Sequence, residues 1–547
     1  RPSNSSTRTS RRTPATSGAG NYLAGRHAQK ERDFSAAAEL LERALKYNPD
    51  DVPLLRSTFI AKLSFGEIDA AKDMARVIAE KEKSAPIARL VLLVEAVHAG
   101  DLARASTELE TYPEHGFSGF MKPLLAAWVL AGQGKGDDAL AALEPLKQQA
   151  GLRVLYELHA ALISDIVGRP DVAAEHYQRA ADSARRPTLR IVQGLGRHLE
   201  RAGETEKAKT LYESYLGENP ESVVLEPALK RLGSGAKPTY LATDAKQGIA
   251  EALFNVASTM TRENSAQLAL IYGRLSLYLR PDFDLAQMLV AGILESMDRY
   301  DDAIATYRAV KPSSPLNWSA RLRVASNLEA LERDDDAVVL LKELIKENPS
   351  KPDAMISLGD IYRSNKKYDD SIEAYDMAVR ALGDIDKRHW TLLYSRGISL
   401  ERAGEWDRAE RDFQRALELN PEQPYVLNYL GYSWVDQGLH LEKARKMIER
   451  AVQLRPNDGY IVDSLGWALY RMKDFEGAVE KLERAAELRP QDPTINDHLG
   501  DAYWRVGRKN EARFQWQRAL VLKPDEDQVS GIERKLEHGL APGDKDS

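Results

Sequence analysis

Cysteine is absent from the 547 residues, which excludes disulfides, thiolate nucleophiles and cysteine-ligated zinc or iron–sulfur centres. Positive charge is also short. Lys and Arg number 76 against 83 Asp and Glu, for a formal net charge of −7 and a pI near 5.9. Such a body does not neutralise a phosphate backbone, so nucleic-acid binding is not expected. No apolar run approaches the roughly 20 residues that span a bilayer. "PLLAAWVLAG" (Pro123 to Gly132) is among the longest and suits a buried helix. With 43% hydrophobic and 29% charged residues, the chain reads as soluble and folded. Its length exceeds one ordinary core, so several domains or a repeat array are expected.

Recognisable catalysts are missing too. The ten histidines are scattered, with no His-Glu-x-x-His pair for a metal on one helix face. "AGQGKGDDA" (Ala131 to Ala139) lacks the Ser or Thr that follows the lysine of a phosphate loop, because Gly136 follows Lys135. "GSGAK" (Gly233 to Lys237) fails in the same way, and Ser464 beside Asp463 sits on no strand-to-helix elbow. "RDDDA" (Arg333 to Ala337) reads as a solvated turn. No catalytic residue, metal site or cofactor is expected.

What the chain has instead is a period. "YIVDSLGWALYRMKDFEGAVEKLERAAELRP" (Tyr460 to Pro490) repeats 34 positions later as "TINDHLGDAYWRVGRKNEARFQWQRALVLKP" (Thr494 to Pro524). Each unit reads as a helix, a short polar turn and a second helix. In the first of these units Gly466 lets the two helices approach, Ala478 and Ala485 are small contacts on the second helix, and Pro490 ends it. The same landmarks stand at Gly25, Ala37, Ala44 and Pro49, and at Gly397, Ala409, Ala416 and Pro421. Between 52 and 188 the glycine position holds Phe59, Leu93, Ala127 and Ala161 instead. The unit containing Gly431 has one inserted residue, in "GLHLEKA".

Unit starts fall near 18, 52, 86, 120, 154 and 189, then 250, 284, 318, 352, 390, 424, 459 and 493. The expectation is an all-α solenoid of about 14 antiparallel helix pairs in two segments. Residues 1–17 carry four arginines and no acid among mostly Ser, Thr and Pro, and read as a disordered basic leader. Residues 18–222 form the N-terminal segment of about six units, and 223–249 a connecting segment, either hinge or rigid insertion. Residues 250–526 form the C-terminal segment of about eight units, and 527–547 a final helix and polar tail. The chain starts at Arg1 rather than methionine, so a signal peptide or lipid-bearing residue would lie upstream of it.

This pattern resembles the tetratricopeptide repeat over nearly the whole chain. The resemblance implies a right-handed superhelix, with positions 2, 5, 9 and 12 of each first helix lining its inner face. The residues at those positions are Tyr394, Tyr425, Asn428, Tyr432, Tyr460, Asp463, Trp467, Tyr470, Asp497, Asp501 and Trp504. Rings interspersed with carboxylates suit a groove for a partner polypeptide. The alternative is that some of these rings pack against the next repeat. Trp434 and Tyr503 stand at a packing position and are expected in the core. The paired Lys, Asn and Arg by which some such domains clamp a terminal carboxylate are lacking.

Over about 105 C-terminal residues the likeness narrows. "LNYLGY", "IVDSLGWALYR" and "HLGDAYWRVGRKNEA", in that order, resemble the end of a group of large bacterial tetratricopeptide proteins, among them a lipoprotein partner of the carboxyl-terminal processing protease. That resemblance implies a periplasmic or outer-membrane-anchored adaptor gathering the protease and cell-wall hydrolases, with any membrane tether upstream of Arg1. The lipid-bearing cysteine of that group is not in this sequence. A cytoplasmic scaffold or assembly factor for another complex is the alternative.

Overall fold

The computed structural model describes residues 17–82, 84–149, 151–184, 186–220, 222–260 and 265–540. Most of the predicted leader and the end of the predicted tail therefore lie outside the described residues. Among the described residues there are thirty α-helices and no strand. They form an all-α array of fourteen successive pairs plus two single helices. The chain divides into two compact units, 1–337 and 338–547.

Unit 1 opens with α1 (Gly18–Lys30) and α2 (Phe34–Leu45), α3 (Val52–Phe65) and α4 (Ile68–Lys81), and α5 (Pro86–His98) and α6 (Leu102–Glu110). Then come α7 (Phe117–Gly132) and α8 (Gly136–Lys147), α9 (Arg153–Ile166) and α10 (Pro170–Ser183), and α11 (Leu189–Ala202) and α12 (Thr205–Glu218). The single helix α13 (Glu226–Ser234) precedes α14 (Ala245–Thr259) and α15 (Ala266–Leu279), followed by α16 (Asp284–Ser296) and α17 (Tyr300–Arg308). α18 (Asn317–Ala330) and the first turn of α19 (Asp334–Glu347) close the unit.

Unit 2 continues α19 and adds α20 (Asp353–Ser364) with α21 (Tyr368–Leu382), then α22 (Trp390–Arg402) with α23 (Trp406–Leu419). α24 (Pro424–Asp436) pairs with α25 (Leu441–Leu454), α26 (Gly459–Arg471) with α27 (Phe475–Leu488), and α28 (Pro493–Arg505) with α29 (Lys509–Val521). α30 (Glu526–His538) ends the array.

The period has a backbone cause as well as a packing one. In twelve pairs the residue two places before the second helix has φ between 58° and 108°. Seven of these are glycines and five are Arg32, Asp298, Glu332, Lys366 and Lys473, so the turn geometry holds even where it strains an L side chain. Of the other two pairs, the turn before α15 lies outside the described residues, and the inserted residue before α25 gives Gly438 at φ 70° and His440 at φ 46°. Many helices open on an aspartate cap, such as Asp33 accepting from Ala36 N at 3.1 Å and Asp51 from Leu54 N at 2.9 Å. Where helices cross, small residues are required. A Cβ on Gly500 would meet Trp516 Cδ1 at 2.5 Å, and one on Gly359 would meet Tyr375 Cε1 at 2.5 Å.

The connecting segment expected over 223–249 does not divide the chain. It holds α13 and leads into α14, which packs on α7 and α9, while α15 packs on α3 and α5. The hairpin α14–α15 thus lies along the first helices of four successive pairs in its own unit. Gly248 sits against Trp128, where a Cβ would come within 2.0 Å of the indole. Glu251, fully buried, takes both Nε (2.6 Å) and Nη2 of Arg190. Gln267 Nε2 donates to Ser64 Oγ at 3.1 Å and Tyr278 OH to Asp69 at 3.0 Å. The apolar stretch 123–132 is a buried helix, with Leu124, Leu125 and Trp128 wholly covered. Among the described residues no helix is long and apolar enough to cross a membrane.

Candidate partner-binding face

The eleven candidate side chains all project from the first helices α22, α24, α26 and α28 of unit 2. Position alone does not make them equivalent. Tyr425 and Tyr460, each the second residue of its helix, are 42% and 49% exposed. They lie outside the seam between neighbouring first helices, and each ring is faced by a guanidinium. The Arg455 Cζ is 5.9 Å from the Tyr425 centroid and the Arg489 Cζ 4.4 Å from the Tyr460 centroid. These arginines cap α25 and α27, so the start of one helix and the end of its partner form each ring–cation pair. Sequence reasoning missed them. The available signal was the tripeptide Leu-Arg-Pro, present at both 454–456 and 488–490.

Tyr394 and Tyr432 are half-buried. Tyr394 joins a ring cluster with Phe413 (6.1 Å) and Tyr429 (6.0 Å), and burial raises its hydroxyl to about 12. Burial, then Asp463 and Asp436, push the Tyr432 hydroxyl well above its usual range. Asn428 is also half-buried, and its Oδ1 is covered without a hydrogen-bond partner among the described residues.

The rings of α26 are not open. Trp467 and Tyr470 are each 1% exposed, which corrects the expectation of an exposed ring stripe there. Successive first helices pack on one another, so positions nine and twelve of α26 fill the seam. Trp467 stacks on Tyr470 at 4.9 Å and on His498 of α28 at 4.1 Å. Asp463, also buried, accepts from His498 Nδ1 at 3.0 Å, and Arg505 Nε donates to the Tyr470 hydroxyl at 3.1 Å.

The candidates on α28 are held by α30. Lys535 Nζ donates to Asp497 Oδ2 at 2.7 Å and to Asp501 Oδ2 at 3.0 Å. Trp504 Nε1 donates to Leu540 O at 3.1 Å, and Gly539 sits close against its ring. Trp516 Nε1 donates to Asp501 Oδ1 at 2.8 Å. Trp434 and Tyr503 are core, as expected, and hydrogen-bond to Glu410 and Glu483.

Two buried groups here bind protons more tightly in the folded chain. Burial pulls His498 down, but the carboxylates of Asp463, Asp497 and Asp501 outweigh it and the net shift is upward. Burial, then Asp497, raises Asp501 to about 6, because one cation, Lys535, serves two carboxylates. Raised folded values mean stability that is present at low pH and lost on alkalinisation. The Asp501 contribution fades from its ordinary 3.8 to about 6, and that of His498 is complete below 6.5 and lost above it. As the pH rises from about 4 through 6.5 and beyond, the native chain is therefore expected to lose stability that an Asp501→Asn, His498→Gln double variant does not lose. Urea unfolding followed by circular dichroism at each pH checks this.

Among the described residues no group of three or more His, Asp or Glu is placed to hold a metal ion. The arrangement offers ring faces, guanidinium edges and a few carboxylates, which is chemistry for holding a polypeptide.

Comparison with known proteins bears on the fold. A tetratricopeptide repeat model matches residues 22–55, 167–223, 322–384 and 394–459, and a TPR repeat model matches 466–507. No curated protein sequence matches the chain. Among solved structures, the chain is similar to one in the APC/C hetero-tetramer Cut9–Hcn1, at 17% identity over 96% of this chain and 97% of that one, with TM-score 0.40. It is also similar to a tetratricopeptide repeat protein of Parabacteroides merdae (12% identity, 47% and 99% covered, TM-score 0.38). A third is pilF of Pseudomonas aeruginosa (17%, 40% and 97% covered, TM-score 0.34). At these identities and scores the similarity speaks to no site or partner.

Proposed function

We propose that this array of tetratricopeptide repeats is a non-catalytic adaptor that grips a partner polypeptide along unit 2. The observation that carries the reading is the repeated pair of exposed rings, Tyr425 and Tyr460, each with an arginine over its face. A partner segment crossing both rings buries apolar area on them and can accept hydrogen bonds from Arg455 and Arg489. Unit 1 is the poorer candidate because its own α14 and α15 already lie along four of its first helices.

The partners we propose are envelope proteins, a carboxyl-terminal processing protease and a cell-wall hydrolase, in keeping with the sequence likeness of residues after 424. The compartment we propose is the periplasm or the inner side of the outer membrane. Holding enzyme and substrate on one scaffold raises their mutual effective concentration, into the mM range for short tethers, with no new chemistry.

The test is capture from envelope extract by the full chain, with identification by mass spectrometry. Tyr425→Ala with Tyr460→Ala is expected to weaken capture about tenfold or more while leaving helical content unchanged, since both rings are exposed. Undiminished capture would overturn the assigned face. Capture of cytoplasmic proteins alone would overturn the envelope reading and favour the cytoplasmic scaffold.

A further inference from the structure

Unit 1 holds a cavity of about 240 Å³ lined by four arginines, Arg190, Arg197, Arg231 and Arg280. They come from α11, α13 and the end of α15, and no repeat pattern foretold their convergence. Two are matched. Arg190 is paired with Glu251, and Arg231 donates through Nε and Nη2 to Glu200 at 2.8 Å each. The other two are not. Arg280 has Asp282 at 3.9 Å and, for its Nη1, the Leu241 carbonyl at 3.4 Å, with Glu251 nearby and Asp284 also lining its side of the cavity. Arg197 pairs with no carboxylate among the described residues, and its Nη1 reaches only the carbonyls of Thr239 and Tyr240 at 3.4 and 3.5 Å.

Phe283, 4% exposed, fixes two of these groups in place. The Arg190 and Arg280 guanidinium carbons stand 5.2 and 4.8 Å from its ring centroid. Burial, then the like charges of Arg190 and Arg231, bring Arg197 down to about 10, a guanidinium short of negative charge. Leu225, Pro227 and Leu316 supply apolar wall beside the charges.

We infer that this cavity binds a tetrahedral oxyanion, a phosphoryl or sulfuryl group, with Arg197 as its principal donor and Arg280 as its second. Two guanidiniums converging from separate elements, α11 and the end of α15, suit an acceptor with oxygens in several directions better than a flat carboxylate, which one fork satisfies. The apolar wall then carries whatever body bears the group. This site is separate from the Tyr425–Tyr460 face and does not depend on it.

Titration calorimetry of the full chain with inorganic phosphate, sulfate, acetate and chloride at equal ionic strength tests it. Saturable heat with phosphate and sulfate, at least tenfold weaker with acetate and absent with chloride, is expected. Arg197→Gln should abolish the heat, and Arg280→Gln weaken it at least tenfold, with circular dichroism unchanged in both. Heat that acetate or chloride reproduces would overturn the proposal, as would phosphate binding that survives Arg197→Gln. If Arg197→Gln alters the dichroism spectrum, Arg280→Gln decides: undiminished phosphate heat in that variant overturns the site.

Discussion

Glu251→Gln should destabilise unit 1 by about 3–5 kcal/mol, because it strands a buried guanidinium. Arg190 is 8% exposed and Glu251 wholly buried, and their two hydrogen bonds tie α14 to α11 across 61 positions of sequence. Replacing both partners by apolar residues of similar size, Arg190→Met with Glu251→Leu, should cost far less, since no unpaired charge is then left in the interior. Guanidinium unfolding of the unsubstituted chain and the two variants gives the comparison. The single variant should also loosen α14 from α7, which Trp128 reports by fluorescence because Gly248 lies on its indole. Equal losses in the single and double variants would mean that packing, and not charge pairing, holds the hairpin.

The second large effect concerns one of the rings that the sequence placed on the binding face. Trp467→Ala is expected to cost about 3–5 kcal/mol in unit 2, as a buried large-to-small change. The indole is 1% exposed and stacks on Tyr470 and His498. Its Nε1 has no hydrogen-bond partner among the described residues, so Trp467→Phe loses ring area but no hydrogen bond and should retain most of the stability. A binding role for Trp467 predicts the reverse pattern, with normal unfolding and lost capture for both variants. Urea melts beside partner capture separate the two, and Tyr425→Ala serves as the exposed-ring comparison.

These two variants also mark where the sequence was readable and where it was not. The period of 34 placed the first helices at 18, 52, 86, 189, 284, 390, 424, 459 and 493, where they begin, because close helix crossings demand small residues at fixed offsets. Trp434 and Tyr503 were assigned to the core for the same reason and are there. The period could not show that α14 and α15 turn back along α3, α5, α7 and α9, since each unit spells out its neighbours and carries no mark of a partner two hundred residues away. Nor could it separate Tyr460 from Trp467. Both occupy positions that face inward in a generic repeat, and only the spacing of α26 from α28 decides which of the two rings is covered.

The return of α15 onto α3 has a consequence for how the molecule comes into being. Ser64 and Asp69 meet Gln267 and Tyr278 over separations of 203 and 209 residues. A simple array can order itself one pair at a time as it leaves the ribosome. Here the pairs from α3 to α10 must wait, their first helices bare, until residue 279 has emerged. During that interval nascent chains are at their most adhesive, so slowing translation ahead of that point should raise misassembly, whereas slowing it afterwards should not.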